Sequence, residues 1–131
     1  MSAAAEAILR SVPHELSGQV SFTPYNERGL PLFIEPSTPR LMSSVDESVA
    51  WLRNNGDALN TLTRDAGAIV LRGFPLKDTD DFARMVEHFP STTYGYAGGA
   101  AQRNNLKGKV FETTHAAAHT TLCLYQEMSY L

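Results

Sequence analysis

Tyr125 and Glu127 stand two apart in the run Leu122-Cys123-Leu124-Tyr125-Gln126-Glu127-Met128-Ser129-Tyr130-Leu131. In an extended strand, residues two apart point to the same side, so a phenol and a carboxylate would face a common space. Such a pair suits proton transfer, with Glu127 as base and Tyr125 as acid or hydrogen-bond donor. It is a poor grip for a cation. A phenol has a reference pKa near 10 and stays largely protonated at neutral pH, which leaves Glu127 as the one good donor. His115 and His119 are four apart and flanked by Glu112 and Glu127. On a helix that spacing would put both imidazoles on one face and allow a metal site. The threonine-rich flanks favour a loop, so exposed histidines are the simpler reading. Arg103 and Tyr130 are the candidates for substrate contact, Arg103 through its fork of donors for a carboxylate. Arg72 also carries such a fork and is the second candidate for anion contact. Cys123 reads as a small buried hydrophobe, with a Cys-His pair to His115 or His119 as the alternative. His14 and His88 have no partners in sequence and read as surface or helix-end residues.

These groups need a scaffold, and the rest of the chain supplies its signals. Residues 3–11 predict a short helix that Pro13 ends. Val20 with Phe22, then Leu32-Phe33-Ile34, predict two strands separated by the turn formers Pro24, Asn26, Gly29 and Pro31. Pro36 to Pro39 reads as loop. Ser44-Val45-Asp46-Glu47 is a capping-box pattern, so a helix should begin there, with Val45, Val49 and Leu52 on one face. Asp57 predicts the start of a second helix, with Leu59, Leu62 and Ala66 on its apolar side and Gly67 at its end. Ala68-Ile69-Val70-Leu71 is a compact apolar run, the pattern of a strand buried on both faces. Asp78 or Thr79 can cap a third helix whose Phe82, Met85, Val86 and Phe89 form an apolar stripe. Tyr94 to Gly99 reads as a glycine loop, Lys107-Gly108-Lys109 as a turn, and Val110 to Thr114 as β-prone.

Two stretches carry a family resemblance. Gly67-Ala68-Ile69-Val70-Leu71-Arg72-Gly73-Phe74-Pro75 resembles the Gly-Ala-aliphatic-Arg-Gly-Phe signature of the taurine dioxygenase (TauD/TfdA) family of Fe(II)/2-oxoglutarate oxygenases. The terminal run resembles the strand that carries that family's first two iron ligands, in the branch that reads Met-Ser-Tyr after the acid. The stretch Leu30 to Pro36 is similar to the segment by which the chain enters that fold. The resemblance implies an α+β fold, with helices packed on a partial jelly-roll sheet, a truncated double-stranded β-helix. It divides the chain into an N-terminal extension, residues 1–29, and a partial taurine-dioxygenase-like domain, residues 30–131. It also places Tyr125 where the family has its first iron-binding histidine, with Glu127 as a vestigial ligand. In the family the distal histidine and the arginine that holds 2-oxoglutarate lie well downstream.

The expectation is therefore a shortened, repurposed relative that binds or acts on a small amino-acid-like molecule in specialised metabolism. Standard 2-oxoglutarate-dependent oxidation is not expected of it. Two alternatives stand beside it: an N-terminal fragment of a functional hydroxylase, and a non-oxidative enzyme using Tyr125 and Glu127 as acid and base. Fe(II) and 2-oxoglutarate are the family's cofactors, and none is expected for this chain alone. Unpaired sheet edges call for a second copy or a partner chain.

Composition bounds the rest. The chain has 131 residues, enough for one domain, and a formal net charge of −3. Its lysines and arginines are scattered, which argues against nucleic acid as a partner. No segment approaches the roughly 18 to 20 apolar residues of a membrane span. The single cysteine cannot form an internal disulfide, and Glu6 stands where a signal peptide carries positive charge, so the expected location is cytoplasmic.

Overall fold

The computed structural model describes residues 1–89, 104–112, 119 and 121. After helix α1 (Ala3–Arg10) and a 3-10 turn (His14–Leu16), strands β1 (Val20–Pro24) and β2 (Leu32–Pro36) pair antiparallel. The chain then crosses through three helices, α2 (Pro39–Ser43), α3 (Val45–Asn54) and α4 (Gly56–Ala66), before β3 (Ile69–Leu71) pairs parallel with β2. Helix α5 (Thr79–Val86) and a small hairpin of β4 (Asn105–Lys107) and β5 (Val110–Phe111) follow.

Alternation assigns the two faces of the β1-β2-β3 sheet. Leu32 and Ile34 are fully buried, and the register brings Phe22 and Leu71 beside Ile34. That face packs under Leu41, Trp51, Leu52, Leu59, Leu62, Ala66 and Met85, and Leu16 and Val20 join the same cluster. Burying each such side chain contributes about 1.5–3 kcal/mol relative to exposure. The core is therefore a single helix-on-sheet layer, built on one side only.

Local chemistry accounts for the boundaries. Thr38 accepts from the Leu41 amide and Pro39 occupies the first helical turn, so α2 starts inside a stretch that reads as loop. Ser44 then serves two helices. Its backbone N–H donates to Arg40 O at 3.1 Å and closes α2, while its hydroxyl accepts from the Glu47 amide at 3.3 Å and opens α3. Because the Ser44 amide is already satisfied, Glu47 has no need to reach back. It pairs with Arg40 at 2.5 Å instead, leaving half of the capping box unmade. Ser44→Ala should cost about 1 kcal/mol in equilibrium urea unfolding, and a loss near zero would show that the cap is replaced by water.

Between α3 and α4 the chain turns at Asn55, whose side chain donates to Trp51 O at 2.7 Å. Asp57 falls in the first turn of α4 rather than at its cap. Gly67 ends α4 at φ 72°, a conformation that glycine adopts without a Cβ penalty. Asp78 caps α5 through the Asp81 amide at 2.9 Å.

Three expectations need correction. No described sheet is closed or strongly curled: one has the open order β1-β2-β3, and the other is a two-stranded hairpin. The fold is α+β with mixed pairing, and the partial jelly roll is not what these residues build. A parallel β2/β3 pair joined by helices on one face produces an open, layered unit. Nor is β3 buried on both faces, since Val70 is 37% exposed. The run Ile69 to Leu71 is uniformly apolar although it lies at one end of the sheet order. Phe82, read as part of the buried stripe of α5, is 47% exposed, and Met85 supplies the contact with the core.

Candidate functional site

Most of the predicted site residues, Tyr125, Glu127, Tyr130, Arg103 and His115, lie outside the described residues, as does Cys123. His119 is described and sits exposed in a turn. Glu112, the nearest acid in sequence to that pair of histidines, accepts from Asn104 Nδ2 at 2.8 Å across the β4/β5 hairpin. Its backbone N–H donates to Asn104 O at 2.9 Å, so the hairpin holds the residue in place.

Among the described residues no group of three or more His, Cys, Asp or Glu gathers as a metal would require. The residues described thus do not fit Fe(II), which takes two imidazoles and a carboxylate on one face of an octahedron. The oxidoreductase-type active site that the family name implies is therefore not formed by the described residues. His14 and His88 are exposed, as expected.

The face of the sheet opposite the helices is chemically richer than its sequence suggests. Phe33 and Val70 are register partners, and period two places Glu35 and Arg72 on their side. The Arg72 amide donates to Ile34 O at 3.0 Å, so strand geometry continues one residue past β3. The Arg72 guanidinium lies 3.8 Å over the Phe33 ring, and Tyr25 meets that ring edge-on at a centroid distance of 5.7 Å. The family resemblance implies a structural ion pair for Arg72. Among the described residues it has none, and the cation–π contact takes its place.

Elsewhere, Arg40 and Glu47 line a groove of about 360 Å³ together with Glu15, Thr38 and Trp51. The hydrogen bond from Arg40 to Glu47 raises the arginine pKa, and the Glu47 charge adds to the shift. Arg84 is raised in the same way by its hydrogen bond to Asp46, which ties α5 to α3. Both arginines are protonated at any physiological pH, so neither pair is a switch.

No protein-family model matches the chain. A clavaminate synthase-like protein of Arabidopsis thaliana is 30% identical to it over 108 residues, 80% of this chain. The chain spans about a third of that relative's length, 33%. This is a weak sequence relationship to a clavaminate synthase-like protein. It agrees with the resemblance carried by Gly67 to Pro75 at the level of ancestry, and shows no particular iron-ligand substitution.

Proposed function

We propose that this chain is a repurposed relative of the Fe(II)/2-oxoglutarate oxygenases that binds a small amino-acid-like molecule and does not itself run 2-oxoglutarate-dependent oxidation. The similarity to a clavaminate synthase-like protein over 80% of the chain carries the ancestry. The loss of oxidation rests on Tyr125, which stands where the resembled strand has a histidine. Glu127 is then the acid that remains, and with Tyr125 it forms a proton-transfer pair rather than a ligand set. Arg103 and Tyr130 are the proposed contacts to the bound molecule, and His115 and His119 a secondary metal-binding pair. A second copy of the chain is the proposed cover for the outer edge of β3, whose Ile69 and Leu71 amides point away from β2. The location proposed is cytoplasmic.

The span of a third of the relative's length favours a second reading. In it these residues are one portion of a longer dioxygenase-related protein. The mass of the native product in its own cells separates the two.

The purified chain, supplied with Fe(II), ascorbate and 2-oxoglutarate, is expected to release no succinate above a protein-free control. Typical enzymes turn over at about 1–1,000 s⁻¹, and succinate release in that range would overturn the reading.

A further inference from the structure

We infer that Arg72 and Glu35, side by side on the open face of the sheet, form the carboxylate and ammonium contacts of a site for a small α-amino acid. The inference rests on the reading that the ligand is amino-acid-like, and adds to Arg103 and Tyr130 a second set of contacts, on the sheet.

Arg72 carries the argument. Its side chain is exposed, and its guanidinium carbon lies 3.8 Å over the Phe33 ring centroid with no hydrogen-bond or ion-pair partner among the described residues. Stacking occupies the face of a guanidinium and leaves its N–H donors directed outward in the plane, the geometry that grips a carboxylate with two parallel bonds. Phe33 is itself braced by the Tyr25 ring, so the platform beneath the cation is fixed before any anion arrives.

Glu35 supplies the opposite charge. It is the residue of β2 level with Arg72, one step beyond the Ile34–Leu71 register pair, and it is half-buried on the same face. Cross-strand neighbours of opposite sign ordinarily pair. Here the arginine leans back over Phe33, and Glu35 forms no ion pair with it or with any other described residue. The sheet therefore presents a cation and an anion side by side, each open to a partner. A zwitterion with its carboxylate and ammonium on one carbon satisfies both at once, and Val70, 37% exposed, offers an apolar seat for a short side chain.

The test is an NMR titration of the isotopically labelled chain with glycine, acetate, methylammonium and 2-oxoglutarate, each at constant ionic strength. Acetate and glycine are expected to move the Arg72 Nε–H and the Phe33 and Val70 amides saturably, glycine at lower concentration. Methylammonium alone should leave the Arg72 Nε–H unmoved. Arg72→Lys keeps the charge and loses the fork, and should weaken both carboxylates by about tenfold or more. Glu35→Gln should bring glycine down to the level of acetate and leave acetate unchanged. Both variants must keep the wild-type spectrum away from this face, and each arm stands if the other variant unfolds. Shifts that never saturate, that sodium chloride reproduces, or that survive Arg72→Lys undiminished would overturn the site. A preference for 2-oxoglutarate over glycine, unaffected by Glu35→Gln, would overturn the amino-acid assignment. Succinate release, by contrast, would sink the non-oxidative reading and leave this one standing.

Discussion

Trp51→Ala is expected to lower the free energy of unfolding by about 3–5 kcal/mol, read from urea denaturation followed by far-UV circular dichroism because the chain has no other tryptophan to report. The indole is 5% exposed and packs against Phe74 at a centroid distance of 5.8 Å with the rings tilted by 34°. Phe74 lies just past β3, and Trp51 lies on the crossover helix α3. One side chain therefore pins the crossover to the segment that leaves the sheet. Truncation removes a large apolar area and leaves a cavity between two elements, which the surrounding structure fills only in part. A domain of this kind typically holds about 5–15 kcal/mol in all, so a loss of this size would partly unfold it at moderate temperature. A cost below about 1 kcal/mol would mean that the indole is not the tie the geometry indicates.

Ile34→Ala should be nearly as severe, at about 2–5 kcal/mol. Ile34 is on the middle strand, fully buried, with Phe22 and Leu71 as register partners and the helical layer above. Its comparison is Val70→Ala, on the opposite face and 37% exposed, for which a cost under about 1 kcal/mol is expected. The two substitutions remove similar side chains from adjacent strands, so the difference between them measures which face of the sheet carries the fold. Equal costs would show that something covers the Val70 face in solution.

That contrast also marks how far the amino-acid sequence could be read. The strands at Val20 and Leu32, the helices opened by Ser44 and Asp78, and the glycine that closes α4 were legible because each depends on signals only a few residues apart. Helix α2 was not, although Thr38-Pro39 is a helix-start pattern. Two prolines within four residues, Pro36 and Pro39, masked it as loop. The apolar run at β3 looks the same whether a strand lies in the middle of a sheet or at its end, because periodicity reports burial and not position in the strand order. The jelly roll came from the family resemblance rather than from any residue pattern, and the described strands do not form one. Of the proposed site, Tyr125 and Glu127 could be named because the terminal run resembles the family's iron-ligand strand. The stacking of Arg72 on Phe33 could not, since it joins positions 39 apart through a parallel pairing that only the crossover creates.

The strand order has a consequence for how this unit could be enlarged. On β1 the odd-numbered amides face β2, as Tyr25 donating to Pro31 O shows, so its outer rim would have to offer donors from Val20, Phe22 and position 24. Position 24 is proline, which has none, and Val20 is already engaged by a bridge to Ser17. On the far side, Ile69 and Leu71 carry ordinary amides and carbonyls directed away from β2. Among the described residues, accretion of further strands is thus polarised: the β1 flank is short of donors, and the β3 flank offers them.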